Sequence, residues 1–190
     1  MEAFTLSFVI IFLAEMGDKS QLMALAFATR YRALTVLAAI TVATLLVHAG
    51  SVIVGTVFAL ALPTDLIQVA AGVAFLGFAA WTLRGDELGE GEEARAGRSG
   101  RWAMLTIGTA FFLAELGDKT MLATVTLATT EEPWGTWLGS TFGMVAADAI
   151  AVAIGVAVGT RLPERWIQLF AAGAFVVFGV LLIAQGLGLA

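Results

Sequence analysis

Two stretches of this sequence carry charge among residues that are otherwise almost wholly apolar: Glu15-Met-Gly-Asp-Lys-Ser20 and Glu115-Leu-Gly-Asp-Lys-Thr120. In each, the Glu, Asp and Lys stand at i, i+3 and i+4, a spacing that shares one helix face. Ser20 and Thr120 add hydroxyl oxygens one residue further on. Fully ionised, the four carboxylates (Glu15, Asp18, Glu115, Asp118) and two ammonium groups (Lys19, Lys119) leave a charge of −2, which matches one divalent cation. Gly17 and Gly117 interrupt the clusters, so the helix is expected to unwind there and expose backbone carbonyls. A donor set of carboxylate, hydroxyl and carbonyl oxygens suits Ca²⁺, Mn²⁺ and Mg²⁺ and does not favour Cu⁺ or Zn²⁺. The lysines either neutralise the acids once a cation has left or compete with it. A purely structural alternative is a set of internal Glu–Lys or Asp–Lys bridges stapling the two stretches together. That leaves two carboxylates in excess, and burying a carboxylate without a partner is costly.

The elements that must position these groups follow from composition. Of 190 residues, 59% are hydrophobic and 13% charged, with a net charge of −5. So few charges cannot cover a water-facing surface of this size. The acidic balance leaves no basic face for nucleic acid, and the absence of cysteine removes disulfides and thiolate sites. Six apolar runs approach or exceed the ~20 residues a membrane-spanning helix needs. They cover 3–29, 33–62, 66–83, 102–130, 134–160 and 166–187. The runs are continuously apolar, not alternating, which argues against a β-barrel. The fold class expected is an all-α polytopic membrane protein. The first run is expected to stay as a span, because Glu2 replaces the positive segment of a signal peptide. Within such spans each motif charge costs on the order of 2.5–3.5 kcal/mol at a helix centre, so intramembrane charge points to function.

The motif is one part of a repeat at an offset of 100 residues. The same offset aligns Gly55 with Gly155, Leu62-Pro63 with Leu162-Pro163, Gln68 with Gln168, and Phe75 and Phe78 with Phe175 and Phe178. Such self-similarity marks a duplicated unit. Each half holds three spans, so the second must enter from the opposite side. The expected organisation is a three-helix repeat at 1–84, a solvated linker at 85–101 rich in Gly, Glu and Arg, and an inverted three-helix repeat at 102–190. Inverted repeats are frequent in secondary transporters, with the site at the repeat interface. Eight Lys and Arg residues fall in loops one, three and five (Arg30, Arg32, Arg84, Arg95, Arg98, Arg101, Arg161, Arg165) and none in the other loops. Those loops are therefore expected to be cytoplasmic, with both termini outside. Trp81, Trp102, Trp134, Trp137 and Trp166 fall near span ends, as interfacial anchors do.

Two more polar positions align across the repeat: His48 and Asp148. Asp148 is a lone carboxylate in an apolar run and is expected to titrate or touch the ion path. His48, the only histidine, could relay a proton, supply a nitrogen ligand, or make a plain interhelical hydrogen bond. Gln68 and Gln168 read as interhelical hydrogen bonding. Met23, Met104, Met121 and Met144 read as packing, not as a soft-metal path.

The duplicated Glu-x-Gly-Asp-Lys-Ser/Thr motif resembles that of the Gdt-type cation/proton exchangers, also known as uncharacterised protein family 16. Both copies match at every position, and the likeness extends over nearly the whole chain. The resemblance implies that Glu15, Asp18, Glu115 and Asp118 coordinate the cation, with Ser20 and Thr120 beside them. It further implies divalent cation export, with protons moving inward. Eukaryotic relatives serve Golgi manganese and calcium homeostasis, and bacterial members export manganese.

The function expected is therefore secondary transport, not enzymatic catalysis: export of Mn²⁺, or Ca²⁺, in exchange for protons by alternating access. The transported ion is substrate and no cofactor is called for. Partners are the metal ion, protons and the lipid bilayer, with a homo-oligomer left open. The small size and lack of a presequence favour a bacterial inner membrane. One alternative is an exporter of cationic amino acids or other small organic solutes, though such a cavity has no need of four carboxylates and two lysines so close together. An intramembrane enzyme lacks a zinc-binding histidine motif. A non-transporting scaffold would tolerate loss of the charges.

Overall fold

The structure is a computed structural model that describes residues 1–28, 31–84, 103–158 and 164–189. Among these residues the regular structure is entirely helical. In chain order the helices are α1 (Glu2–Glu15), α2 (Lys19–Ala28), α3 (Ala33–Ala61), α4 (Thr64–Arg84), α5 (Ala103–Glu115), α6 (Lys119–Thr130), α7 (Pro133–Val158) and α8 (Glu164–Gly186). Helices α3, α4 and α7 contain apolar segments long enough to cross a membrane: Ala33–Ala61, Thr64–Trp81 and Pro133–Ala153. Helix α5 and the Phe175–Gly186 part of α8 are shorter apolar segments. Large apolar side chains such as Leu46, Ile53, Val57 and Phe58 are exposed, which fits a surface facing lipid. The expected linker 85–101, together with Arg30, Trp102 and Arg161, lies outside the described residues.

The first and fourth apolar runs are each divided into two helices, at the glycines the sequence singled out. Gly17 has φ 78° and Gly117 φ 82°, a left-handed conformation that L side chains rarely adopt and that glycine enters freely. The two turns match closely. The Met16 N–H donates to the Phe12 carbonyl and the Leu116 N–H to the Phe112 carbonyl, both at 3.2 Å. The Asp18 N–H then reaches the Glu15 carbonyl at 3.0 Å, and the Asp118 N–H the Glu115 carbonyl at 3.2 Å. Glu15, Asp18 and Lys19 therefore do not lie on one continuous helix face, as the i, i+3, i+4 reading assumed. The turn itself carries the acids.

Packing crosses between the halves. Helix α4 pairs most extensively with α8, and α1 with α7. Helix α3 packs against α5, α6 and α7. Close approach of α1 to α7 depends on Gly135, Gly139 and Gly143, one per turn. A Cβ at any of the three would strike α1, at Ala3 and Phe4, at Phe4, or at Phe8 and Phe12 respectively. Small residues in this spacing let transmembrane helix backbones meet. Two apolar clusters flank the breaks. One gathers Ile10, Ile11, Ala14, Phe75, Leu127, Met144 and Phe175; the other gathers Met23, Phe27, Val36, Ile40, Ile107 and Phe111.

Several contacts join a residue to its own counterpart 100 positions away. The Phe75 and Phe175 rings lie 5.7 Å apart, and the Thr44 hydroxyl donates to the Met144 sulfur at 3.4 Å. The expected interfacial tryptophans divide. Trp134 is exposed, whereas Trp137 donates its indole N–H to the Leu45 carbonyl at 3.0 Å.

Candidate metal centre

Glu15 ends α1, Asp18 closes the first break and Glu115 ends α5. The fold brings these three carboxylates together: one oxygen from each lies within 4.8 Å of the others. All three side chains are buried, Glu15 completely. Neither carboxylate oxygen of Glu15 has a hydrogen-bond partner among the described residues. A buried polar group normally has one, so an unpartnered carboxylate marks a place for a proton or a cation. The spread of 4.8 Å is compatible with oxygens around one hard cation, whose ligand distances are roughly 2.0–2.6 Å.

The neighbouring motif residues complete the surroundings. The Thr120 hydroxyl donates to Glu115 Oε2 at 3.0 Å and so orients that carboxylate. Lys119 Nζ lies 2.6 Å from Asp18 Oδ1, with both side chains nearly inaccessible. The bridge runs from one half to the other, so the stapling pair weighed from sequence does form, at least on this side. Asp118 is buried beside this group but not within the set of three. It acts electrostatically on Glu15. Ser20 is buried with its hydroxyl unpartnered among the described residues. The Lys19 side chain lies outside them.

Asp148, on α7, is fully buried with both carboxylate oxygens unpartnered among the described residues. It stands in electrostatic range of Glu15 and Glu115. His48, its repeat counterpart on α3, is buried with Nδ1 unpartnered and is not part of the carboxylate group. Gln68 is half-buried, and the side chain of Gln168 falls outside the described residues.

Sequence reasoning missed Gln21. Its side-chain oxygen accepts the Gly17 N–H at 2.7 Å, and its Nε2 donates to the Ala147 carbonyl at 3.0 Å, next to Asp148. The available signal was a mismatch in the repeat: Gln21 aligns with Met121.

A helical protein with three candidate membrane spans and a buried acidic group drawn from both copies of the motif has the makings of a cation transporter. The family described as "Divalent cation/proton antiporter GDT1" matches residues 3–90 and 103–189. The chain belongs to that family. A protein of Vibrio cholerae named "Putative manganese exporter" is 37% identical over 183 residues, covering 95% of this chain and 90% of its own length. A GDT1-like protein of Synechocystis is 30% identical over 198 residues, covering 95% and 96%. The chloroplastic protein PAM71 of Arabidopsis thaliana is 30% identical over 211 residues, covering 96% of this chain and 56% of its own. No solved structure matches the chain.

Proposed function

We propose that this protein exports Mn²⁺ across a bacterial inner membrane in exchange for protons, binding the ion between Glu15, Asp18 and Glu115. The observation that carries the reading is the convergence of these buried carboxylates, from both halves, within 4.8 Å. The name of the Vibrio cholerae relative supports manganese and outward transport, and the all-oxygen donor set suits Mn²⁺ while admitting Ca²⁺. Thr120, which holds Glu115, is assigned to orient the ligand set, and Asp118 and Ser20 to complete it as the ion moves. In the exchange cycle an entering cation displaces Lys119 from Asp18 and protons from the carboxylates. Protons arriving from the outer side then release it. Asp148 and His48 are assigned to the ion path, with Lys119 and Lys19 balancing charge.

The architecture proposed is six spans in two inverted repeats, 1–84 and 102–190, joined by a cytoplasmic linker at 85–101, with both termini outside. Two observations support it. The family match falls in two stretches, one in each half. Thr44 touches Met144, and Phe75 touches Phe175. A residue meets its own repeat counterpart where a two-fold axis passes, and Glu15 and Glu115 meet in the same way.

The test is ion flux into liposomes holding purified protein, with internal dyes for Mn²⁺, Ca²⁺ and pH. Opposed metal and proton fluxes, abolished in Glu15→Gln and Asp118→Asn, are the expected result. Folded protein that moves no metal under any gradient would overturn the proposal.

A further inference from the structure

The two breaks are built alike but held differently. In the first half, the Gly17 N–H is accepted by Gln21 Oε1 at 2.7 Å, while Gln21 Nε2 donates to the Ala147 carbonyl at 3.0 Å. One buried amide thus ties the turn bearing Glu15 and Asp18 to α7. In the second half, the Gly117 N–H meets the Met121 sulfur at 3.0 Å. A thioether is a weak acceptor and has no proton to donate, so Met121 cannot pass the link on to α3.

The helices entering the breaks differ in the same sense. Helix α1 lies backbone to backbone on α7 through Gly135, Gly139 and Gly143. The corresponding positions on α3 are Thr35, Ala39 and Ala43, which all carry side chains, and α5 packs less extensively on α3 than α1 does on α7. There Gly108 has room for a Cβ at 3.7 Å from the Ala39 carbonyl. A cleft lined by Ala39, Val42, Leu46, Met104, Leu105 and Phe112 runs between α3 and α5.

From these two independent differences we infer that α1 with the first break is a fixed arm held by Gln21, while α5 is the moving arm, hinged at Gly117, which carries Glu115 to and from Glu15 and Asp18. Gln21 is then a positioning residue for the cation site, and Met121 is what leaves the hinge free. The inference rests on the exchange reading for its consequence in transport, but its structural half can be tested without transport.

The experiment is amide hydrogen exchange on the full chain in lipid nanodiscs, paired with Mn²⁺ flux in liposomes. The amides of 16–18 should exchange about tenfold more slowly than those of 116–118, the worth of roughly one good hydrogen bond. Gln21→Met should erase that difference and raise the KM for Mn²⁺ about tenfold, with kcat little changed. Met121→Gln supplies the missing donor and acceptor. It should slow exchange at 116–118 and lower kcat while leaving KM in place. The double swap should transfer slow exchange from the first break to the second. Equal exchange at the two breaks in the unaltered protein, or kcat unchanged in a Met121→Gln protein whose second break has slowed, would overturn the inference. Absence of Mn²⁺ flux from the unaltered protein, with the exchange difference intact, would instead overturn the exchange reading.

Discussion

At the scale of single residues, the balance between Asp18 and Lys119 decides how the buried charge is tolerated. Breaking a buried ion pair by removing one member costs about 3–5 kcal/mol, because the other charge stays buried. Lys119→Met should therefore lower thermal stability sharply in detergent without metal. Mn²⁺ should restore more stability to this variant than to the parent, since the ion supplies the positive charge the lysine had provided. Asp18→Asn combined with Lys119→Met should recover much of the loss without metal, a comparison that thermal unfolding of the three variants makes directly. Glu131, beyond the end of α6, gives a pH prediction. Partial burial, and then the Glu2 carboxylate, push its carboxyl above the ordinary value. An acid raised by folding binds its proton more tightly in the folded state, so its contribution is full below the ordinary value and is lost as pH rises through the raised one. Glu131→Gln should raise the unfolding temperature at neutral pH and leave it nearly unchanged in acid, as a melting series across pH would show.

At the scale of helices and turns, two glycines separate two physical demands. Gly117 has open space where a Cβ would stand but a φ of 82°. Gly117→Ala should cost about 1–2 kcal/mol through the backbone alone. Gly139 lies within an ordinary helix, yet a Cβ there would strike Phe4 of α1. Gly139→Ala should cost about 1–3 kcal/mol through overpacking and should loosen α1 from α7. Chemical denaturation of both variants checks the magnitudes, and a cross-link between α1 and α7 distinguishes the causes.

The breaks were legible in the sequence because glycine inside a charged apolar run has few other uses. The acidic motif was equally legible, since carboxylates in an apolar run stand out from their background. Less was legible where partners come from the other half. The approach of Glu115 to Glu15 and Asp18, the bridge from Lys119 to Asp18 and the reach of Gln21 to Ala147 are long-range contacts that no local spacing encodes. Gln21 itself reads as a neutral polar residue until its two hydrogen bonds are seen.

For the whole molecule, the proposed orientation yields a direct experiment. The chain has no cysteine, so single cysteines introduce unambiguous labels. A membrane-impermeant thiol reagent applied to intact cells should modify Asp65→Cys, between the second and third spans. It should modify Arg32→Cys, between the first and second, only after the cells are opened. The reverse pattern would invert the orientation.

The contacts between residues and their own counterparts carry a last consequence. The two halves meet at one binding place, where Glu15 and Asp18 face Glu115. One shared place sets no direction of its own, because each step of a coupled exchange runs both ways. The direction of net traffic then belongs to the two gradients the cell maintains, and the machine is a reversible coupling between them. Imposing a steep inward-to-outward proton gradient on sealed vesicles should make the same protein load manganese in the opposite sense, with no residue changed.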